Sequence, residues 1–376
     1  MGQRSKPPFR AEQVGSLLRP RSLLEARERR QRNEISAQEL RRQEDEAIRD
    51  AVKLQVDAGL QVVTDGEFRR LMWHTDFLAG FVNSAVVPGK IKVRFRTFDG
   101  ETEMQPPGTE VTGKLGWPPG GIFVEHFKFL QSVAAAFPAV MPKITIPSPS
   151  CMHFRGGRAA VDRAAYPEMT DFYADLARVY SEEVAAFAAA GCRYLQLDEV
   201  NFAFLCDPRL REEVRALGED PASLPHTYAN LINRALTTRS KDMTVGLHLC
   251  RGNAMSSWLA EGGYEPVAEV LFNEVDVDAY FLEFDTPRAG GFEPLRFVPK
   301  GKFVVLGLVT TKVGRMETKD ALKRRIEEAA RYCPLDQLAL SPQCGFASGA
   351  AGNKLSLEDE IAKLRLVVET AREVWH

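Results

Sequence analysis

The sequence predicts an α/β fold, a (β/α)₈ TIM barrel with a long insertion between strands 2 and 3. Eight short β-rich runs alternate with longer helical patterns, which is the order of a parallel sheet with crossover helices. Eight runs favour a closed barrel, whereas six or seven would favour an open doubly wound sheet. The runs are residues 11–16, 61–65, 143–147, 194–198, 244–250, 279–284, 303–309 and 338–344.

The helical segments carry their own start signals. Ser36 and Glu39 form a capping-box pattern that opens a long helix reaching about residue 58, and Gly59 marks its end. Thr318 is the expected N-cap of a second helix. A final amphipathic helix is expected over residues 357–374.

The rhythm of strands and helices breaks at about residues 70–140. An alternating pattern from Lys90 to Arg96 is typical of an antiparallel strand, and residues 99–112 are rich in turn formers. We interpret this region as a hairpin-like insertion in a βα loop, because it holds too few apolar residues for a core of its own. The chain is therefore expected to be a flexible tail, residues 1–8, followed by a single catalytic barrel, residues 9–376.

The charge balance favours a small-molecule ligand. The 376 residues include 49 Lys and Arg against 51 Asp and Glu, a net charge of −2, so we expect no nucleic-acid partner. No apolar run approaches the roughly 18 residues that a membrane span needs, and the N-terminus lacks the apolar stretch of a secretion signal. A cytoplasmic protein without a membrane partner is expected, and a homo-oligomer is left open.

The cysteines point to free thiols or metal ligands. There are six, with no C-x-x-C pair, unlike the dense pattern of a secreted disulfide framework. His248 and Cys250 stand two apart in a predicted strand, so both side chains point to one face. Glu283 and Cys344 end two other predicted strands. Because functional side chains from different strands converge at one face of such a barrel, these four form a set that Zn²⁺ accepts.

The spacing of these residues favours a catalytic metal over a structural one. Structural zinc sites bring ligands in close pairs, whereas 32 residues (251–282) and 60 residues (284–343) separate the last three ligands. Two thiolates make zinc a weak Lewis acid for water but suit it to hold a substrate thiolate, since coordination deprotonates a thiol. The ligand set therefore predicts alkylation of a thiol.

Polar side chains at other strand ends fit a zwitterionic thiol. Glu67 and Asp198 follow the second and fourth runs and could hold an ammonium group. The alternative is that they pair with surface cations such as Arg69 and Arg70.

Two further pairs of residues are candidates for the rim of the pocket. Trp73 and His74 are expected to line its mouth, although His74 could also be a stacked surface residue. His153 and Arg155 follow the third run and could contact the alkyl donor or an acidic group.

Six motifs occur in order along the chain: Val14-Gly-Ser-Leu-Leu-Arg-Pro20, Thr64-Asp-Gly-Glu-Phe-Arg-Arg70, Leu195-Gln-Leu-Asp-Glu199, His248-Leu-Cys-Arg-Gly-Asn253, Leu282-Glu283 and Ser341-Pro-Gln-Cys-Gly345. Together they resemble the C-terminal catalytic barrel of cobalamin-independent methionine synthase. The likeness runs from about residue 9 to residue 375. The sequence is most similar to the short homologues described as methionine synthase II-like, which lack the large N-terminal half.

The resemblance implies a TIM barrel that transfers a methyl group from 5-methyltetrahydrofolate to a zinc-bound homocysteine thiolate, giving methionine. It implies contacts to homocysteine from Ser16, Glu67 and Asp198. It implies four zinc ligands, namely His248, Cys250, Glu283 and Cys344. The partners are accordingly a small-molecule thiol and a methyl or alkyl donor.

Three departures from the family pattern concern the donor. The Arg-Cys pair and the Lys-Pro-Pro segment that contact folate have no clear counterpart in the insertion, and residues 146–150 replace a tryptophan near the third strand. Lys312 stands where the family has a proton-donating histidine, so Lys312 and Asp198 are the expected catalytic residues. A lysine protonates a leaving amine only with a lowered pKa, so Lys312 could instead bind an anion or be a solvated loop residue.

Two alternative functions stay open at this point. One is alkyl transfer to another thiol, such as the epoxide opening of epoxyalkane:coenzyme M transferases, which resemble the same family. The other is a thiol-binding or sensor barrel without catalysis.

Overall fold

The computed structural model describes residues 4–89 and 92–376. The strands are β1 (Val62–Val63), β2 (Val82–Val87), β3 (Val93–Thr97), β4 (Gly100–Met104), β5 (Gly108–Gly116), β6 (Met141–Pro142), β7 (Ile144–Pro147), β8 (Tyr194–Glu199), β9 (Thr244–Leu249), β10 (Ala279–Glu283), β11 (Phe303–Val309) and β12 (Leu338–Pro342). The helices are α1 (Arg21–Gln31), α2 (Ala37–Asp57), α3 (Thr75–Leu78), α4 (Val124–Ala134), α5 (Met169–Ala189), α6 (Asn201–Phe204), α7 (Pro208–Ala216), α8 (Leu224–Ala235), α9 (Glu265–Glu274), α10 (Lys319–Ala329) and α11 (Leu357–Val374).

A six-stranded sheet in the order β12-β11-β10-β9-β8-β7 organises the molecule. All of its neighbouring pairs are parallel, and β1 and β6 form a separate parallel pair. This confirms the predicted α/β class with a parallel sheet. Because the six strands run in one direction, their carboxyl ends lie along one edge.

Both faces of this sheet are covered. Every residue of β8, β10 and β12 is buried, which is the rule for parallel sheets with crossover helices. On one face Val184 of α5 and Ile232 of α8 share a core with Leu197 of β8. On the other face a small cluster joins side chains from five strands and the N-terminal segment: Phe9, Val62, Tyr194, Ala279, Phe281, Val305 and Ala339.

The first predicted strand, residues 11–16, is wrong beyond its first residue. Ala11 makes a single parallel bridge to Leu340 of β12, and the rest of the segment has no strand partner. The reason is that side chains satisfy its carbonyl groups. Lys143 Nζ donates to the carbonyl of residue 13, Gln196 Nε2 to that of residue 14 at 2.6 Å, and Thr64 Oγ1 to that of residue 15 at 2.6 Å.

The predicted helix starts are confirmed. Ser36 Oγ accepts a hydrogen bond from the Glu39 amide at 3.0 Å, and α2 ends at Asp57. Thr318 caps α10 by accepting from the Ala321 amide at 3.2 Å. The last helix, α11, spans the predicted residues and begins with a capping box between Ser356 and Asp359.

The region between β1 and β6 contains two antiparallel strand pairs, β2 with β5 and β3 with β4. The first two residues of the expected alternating strand, Lys90 and Ile91, lie outside the described residues. The β3–β4 pair is tied to the loop after β9, since Arg96 and Trp258 exchange backbone hydrogen bonds of 2.7 and 2.9 Å. Arg96 Nη1 also lies 2.7 Å from Asp207 Oδ2. These contacts hold the insertion over the carboxyl ends of the central strands.

The N-terminal residues lie against the sheet where the structure describes them. Of the expected tail, residues 1–3 lie outside the described residues, whereas Pro7 and Pro8 are buried. The Arg4 guanidinium lies 3.7 Å from the centre of the Phe303 ring. Within residues 4–89 and 92–376, no helix combines the length and the hydropathy that a bilayer crossing needs.

Glu360 of α11 makes stability depend on pH. The residue is fully buried, and burial raises the pKa of Glu360 to about 8, although Oε2 accepts a hydrogen bond from the Leu18 amide at 2.8 Å. The folded state therefore keeps a proton that the unfolded chain loses near pH 4.5. The free energy of unfolding should fall as pH rises from about 5 to 8, by at most about 5 kcal/mol from this group.

Urea unfolding at pH 5, 7 and 9 tests this expectation. The loss of stability at high pH should be much smaller in Glu360→Gln than in the wild type, because the amide has no proton to lose. Glu358→Gln, at an exposed position of the same helix, should keep the wild-type profile. Parallel pH profiles for the wild type and Glu360→Gln would contradict the assignment.

Candidate metal centre

Four side chains from three strand ends meet at one point. His248 is in β9, and Cys250 is the first residue after that strand. Glu283 is the last residue of β10, and Cys344 lies two residues beyond β12. One ligand atom from each of the four lies within 4.8 Å of all the others, and all four residues are buried. Parallel strand order explains the meeting, because it places the carboxyl ends of β9, β10 and β12 at the same edge of the sheet.

The geometry and the donor chemistry of this cluster fit Zn²⁺. Tetrahedral bonds of about 2.0–2.3 Å require ligand atoms roughly 3.3–3.8 Å apart, and the two sulfur atoms of Cys250 and Cys344 are 3.4 Å apart. Both ring nitrogens of His248 are buried without a hydrogen-bond partner among the described residues. An imidazole without a partner in a buried site is the arrangement that a metal bond would satisfy.

The electrostatics of the cluster also favour a cation. The Cys250 thiol, which shares a contact with Cys344, and the His248 ring lower the pKa of Cys344 well below its usual value despite burial. The same contact, together with burial, raises the pKa of Cys250. Cys344 therefore ionises more readily than Cys250, and a divalent ion would stabilise both sulfur atoms in the charged form.

Outer contacts orient the Glu283 carboxylate. Its Oε1 accepts a hydrogen bond from the Arg251 amide at 2.9 Å, and Oε2 lies 3.3 Å from Arg288 Nη2. Arg288 is held in turn by Asp285 at 2.7 Å. Such partners fix the direction of a metal-binding carboxylate and are a regular part of metal sites.

The four predicted ligands, His248, Cys250, Glu283 and Cys344, are called the metal cluster below. They lie beside a cavity of about 440 Å³. Five other residues predicted for the substrate lie on its wall: Ser16, Glu67, Trp73, His74 and Asp198. The structure thus brings together residues that are up to about 330 positions apart in the sequence. Among the four predicted metal ligands, His248, Cys250 and Cys344 reach the cavity surface.

Glu67 occupies a strained and enclosed position. Its φ is +61°, which is uncommon for a residue with a side chain, and its Oε1 accepts a hydrogen bond from Thr145 Oγ1 at 2.8 Å. Gly15 is required beside it, since a Cβ at that position would lie 2.7 Å from Thr145 and 3.3 Å from Glu67. Arg70 is 3.5 Å from the same carboxylate oxygen, so part of the alternative pairing considered for Glu67 is present.

Asp198 stands at the end of β8 beside His248. Gln196 Nε2 donates to its Oδ1 at 2.7 Å. Burial raises the pKa of Asp198 to about 7, against the lowering effect of His248, and Glu67 adds to the increase. Near neutral pH this carboxyl is therefore close to its titration midpoint, and a cation bound beside it would favour the charged carboxylate.

Ser16 reaches the cavity because Gly345, which lies against it, has no side chain. A Cβ on Gly345 would lie 1.9 Å from Ser16 Oγ, so only glycine allows this approach. The backbone of Ser16 accepts a hydrogen bond from Phe346 at 2.9 Å. These contacts join the N-terminal segment to the loop that carries Cys344.

Lys312 lies behind the wall rather than on it. The residue is fully buried, and its ammonium group donates to Asn253 Oδ1 and to the Ser257 carbonyl, both at 3.1 Å. Asn253 lines the cavity, whereas Lys312 does not. The structure therefore places Lys312 as a brace for residues 253–257, two of which, Met255 and Ser256, have positive φ.

Other side chains on the wall were not singled out from the sequence. Phe95, Met104 and Pro106 of the insertion line the cavity, but the sequence pattern of the insertion does not reveal which central strands it covers. The structure separates the two candidates that the sequence placed after the third run. Arg155 is on the wall, whereas His153 is buried between Tyr228 and Tyr173, with ring-nitrogen distances of 2.9 and 3.1 Å.

Comparison with known proteins identifies the family. Residues 156–373 match the family described as "Cobalamin-independent synthase, Catalytic domain". The chain belongs to this family. The matched residues include all four members of the metal cluster, while Ser16, Glu67 and the insertion precede them.

Relatives of the same length extend the likeness to the whole chain. The uncharacterized protein YxjH of Bacillus subtilis is 44% identical over 98% of this chain and 96% of its own. A solved structure of a putative vitamin-B12-independent methionine synthase from Listeria monocytogenes is 35% identical, with a TM-score of 0.78 over 99% of this chain and 100% of its own. A B12-independent methionine synthase from Shewanella, solved with selenomethionine, shares the fold at 20% identity and a TM-score of 0.69, with 97% of each chain covered.

The metal affinity of single-cysteine variants tests the cluster. Cys344→Ala should lower the affinity for Zn²⁺ by more than about 100-fold, since loss of an outer partner alone costs about 10–100-fold. Competition against a chromogenic chelator would measure this affinity. Cys333→Ala removes a buried thiol outside the cluster and should bind zinc as the wild type does. Equal affinities for the two variants would show that Cys344 is not a ligand.

Proposed function

We propose that this chain is a zinc-dependent S-methyltransferase that methylates the zinc-bound thiol of homocysteine and so forms methionine. The observation that carries the proposal is the convergence of one histidine, one glutamate and two cysteines at a point beside the cavity. When bound there, zinc would keep the acceptor thiol as a thiolate at neutral pH. The methyl donor is 5-methyltetrahydrofolate or another methylated compound.

We also propose that the strands close into a (β/α)₈ barrel. The N-terminal segment supports closure because Glu12 N donates to the Leu340 carbonyl at 2.8 Å and Leu340 N donates to the Arg10 carbonyl at 2.9 Å. On the other side β1 pairs with β6, which leads into β7 after one residue. The buried cluster that joins Phe9 to side chains of five strands would then be the barrel interior.

The residues around the metal cluster suit an amino-acid thiol. Glu67 and Asp198 offer carboxylates for an ammonium group, and the near-neutral pKa of Asp198 means that a bound cation would shift this group to its charged form. Ser16 adds a hydroxyl on the same wall. An acceptor held at both its sulfur and its amine has a fixed direction for attack, which an in-line displacement requires.

The transfer itself is a displacement at the methyl carbon. The thiolate lone pair forms the new carbon–sulfur bond while the bond from carbon to the donor heteroatom breaks. The heteroatom keeps the electron pair and afterwards takes a proton. In this proposal Asp198 holds the acceptor, and Lys312 positions the loop at Asn253 that forms part of the wall.

The carboxylates of Glu67 and Asp198 argue against a thiol that bears a sulfonate, as in epoxide opening with coenzyme M.

A reducing compartment keeps both ligand thiols free, and all six cysteines are unpaired, so we place the enzyme in the cytoplasm.

Methionine formation by the zinc-loaded enzyme tests the function. Asp198→Asn should raise the KM for homocysteine about 10–100-fold, because one charge-assisted contact contributes roughly 1.5–3 kcal/mol, while zinc content stays unchanged. Asp320→Asn, an exposed substitution on α10, serves as the control. Product from epoxides but from no methyl donor would favour the alternative alkyl transfer. Thiol binding without turnover on any donor would favour a sensor.

A further inference from the structure

We propose that the cavity beside the metal centre selects a compact alkyl donor with a single anionic group, and that Arg155 and His74 bind this group. The inference deepens the proposed function and rests on it, because it assigns the substrate class of the donor at the same site. It concerns two side chains on the cavity wall that have no role in holding the acceptor in the proposed function.

Arg155 supplies a positive charge on the cavity wall. It follows the short 3₁₀ turn Pro149–Met152 after β7, is partly buried, and faces the cavity. Its guanidinium makes no hydrogen bond or ion pair with any residue in the described ranges 4–89 and 92–376. The nearby arginine Arg158, in contrast, donates to the carbonyl of Val161 at 3.1 Å. A partly buried guanidinium on a cavity wall lacks the pairing that buried charge ordinarily has, and an anionic ligand would supply it.

His74 is a second unsatisfied donor on the same wall. Only 7% of the residue is exposed, and its Nδ1 is buried without a hydrogen-bond partner among the described residues. The ring stacks on Trp73 with ring centres 4.6 Å apart, which fixes its plane. Burial, followed by the charge of Arg155, lowers the pKa of His74 to about 3. The imidazole is therefore neutral, and in the tautomer with its proton on Nδ1 it offers one N–H to an anion.

Apolar side chains from the insertion and from α6 form another part of this wall. The insertion contributes Phe95, Met104, Pro106 and Pro107, and Phe204 comes from α6. Such a surface suits a ligand with a compact apolar body. Ligand cavities of this kind are mostly apolar and use a few polar groups to set orientation.

The count of charges limits the ligand to one negative group at this end. Of the described residues on the wall, Arg155 is the only lysine or arginine, while Glu67 and Asp198 are acidic. A second carboxylate inside the cavity would lie near these acidic groups or in the apolar part without a counter-charge, which is costly. A donor with one carboxylate or sulfonate has a matching partner.

Two alkylating reagents that differ in one charge test the inference. Iodoacetate carries a carboxylate, and iodoacetamide is its neutral counterpart of similar size. In both reactions the homocysteine thiolate forms a carbon–sulfur bond while the carbon–iodine bond breaks, and iodide leaves with the electron pair. The zinc-loaded enzyme with homocysteine would be treated with each reagent, and mass spectrometry would follow the two S-alkylated products.

The measured quantity is the rate ratio of iodoacetate to iodoacetamide, divided by the same ratio for free homocysteine in solution. We expect a ratio of about ten or more for the wild type, from one charge-assisted contact. It should fall to about one in Arg155→Gln, recover in part in Arg155→Lys and decrease in His74→Phe. Arg163→Gln, an exposed substitution in the same segment, should keep the wild-type ratio.

Each outcome decides between the inference and its rivals. A wild-type ratio near one, or an unchanged ratio in Arg155→Gln with normal zinc content, would overturn the assignment of Arg155. If the zinc-loaded enzyme accelerates neither reagent, the proposed thiol activation fails, and the inference fails with it. Equal acceleration of both reagents would support the proposed thiol activation and would contradict only the assignment of an anionic donor.

Discussion

The buried meeting of two sulfur atoms, a carboxylate and an imidazole is the constraint on which the rest of the site depends. Four ligand atoms within 4.8 Å of one another, all enclosed by protein, carry more negative charge than an apolar interior tolerates without a partner. The structure supports the carboxylate from behind with Arg288 and the Arg251 amide. The ring nitrogens of His248, in contrast, make no hydrogen bond of ordinary geometry with the described residues, although the ring lowers the pKa of Cys344. A cation at the centre would relieve this imbalance, and the surrounding segments are arranged so that three of the four ligands reach one cavity.

The walls of that cavity come from segments that approach one another unusually closely. Gly345 permits the hydroxyl of Ser16 to enter, and Gly15 leaves room for Glu67 and Thr145. The insertion closes the remaining side, and its position depends on the backbone exchange between Arg96 and Trp258. Packing at this distance places the predicted metal ligands at one sheet edge, while separate loops form the rest of the cavity wall. In the proposed function, specificity for the donor could therefore change through the insertion without disturbing the metal ligands.

The strand ends and the metal cluster could be predicted from the sequence because each of them has a local sequence pattern. A two-residue spacing puts His248 and Cys250 on one face, and the alternation of strands and helices brings Glu283 and Cys344 to the same edge. Residues 11–16 were less accessible, because distant side chains such as Lys143 and Gln196 satisfy their carbonyl groups. The position of Lys312 behind Asn253 and the free guanidinium of Arg155 depend on tertiary contacts between loops, and no local pattern reports such contacts.

X-ray absorption at the zinc edge, with and without homocysteine, tests the central claim most directly. The account predicts one zinc per chain, bound by two sulfur and two nitrogen or oxygen ligands at about 2.3 and 2.0–2.2 Å. On addition of homocysteine, the sulfur count should rise to three, as the substrate thiolate joins the metal. A sulfur count that stays at two, while calorimetry shows that homocysteine binds, would contradict the claim that this centre activates the acceptor thiol.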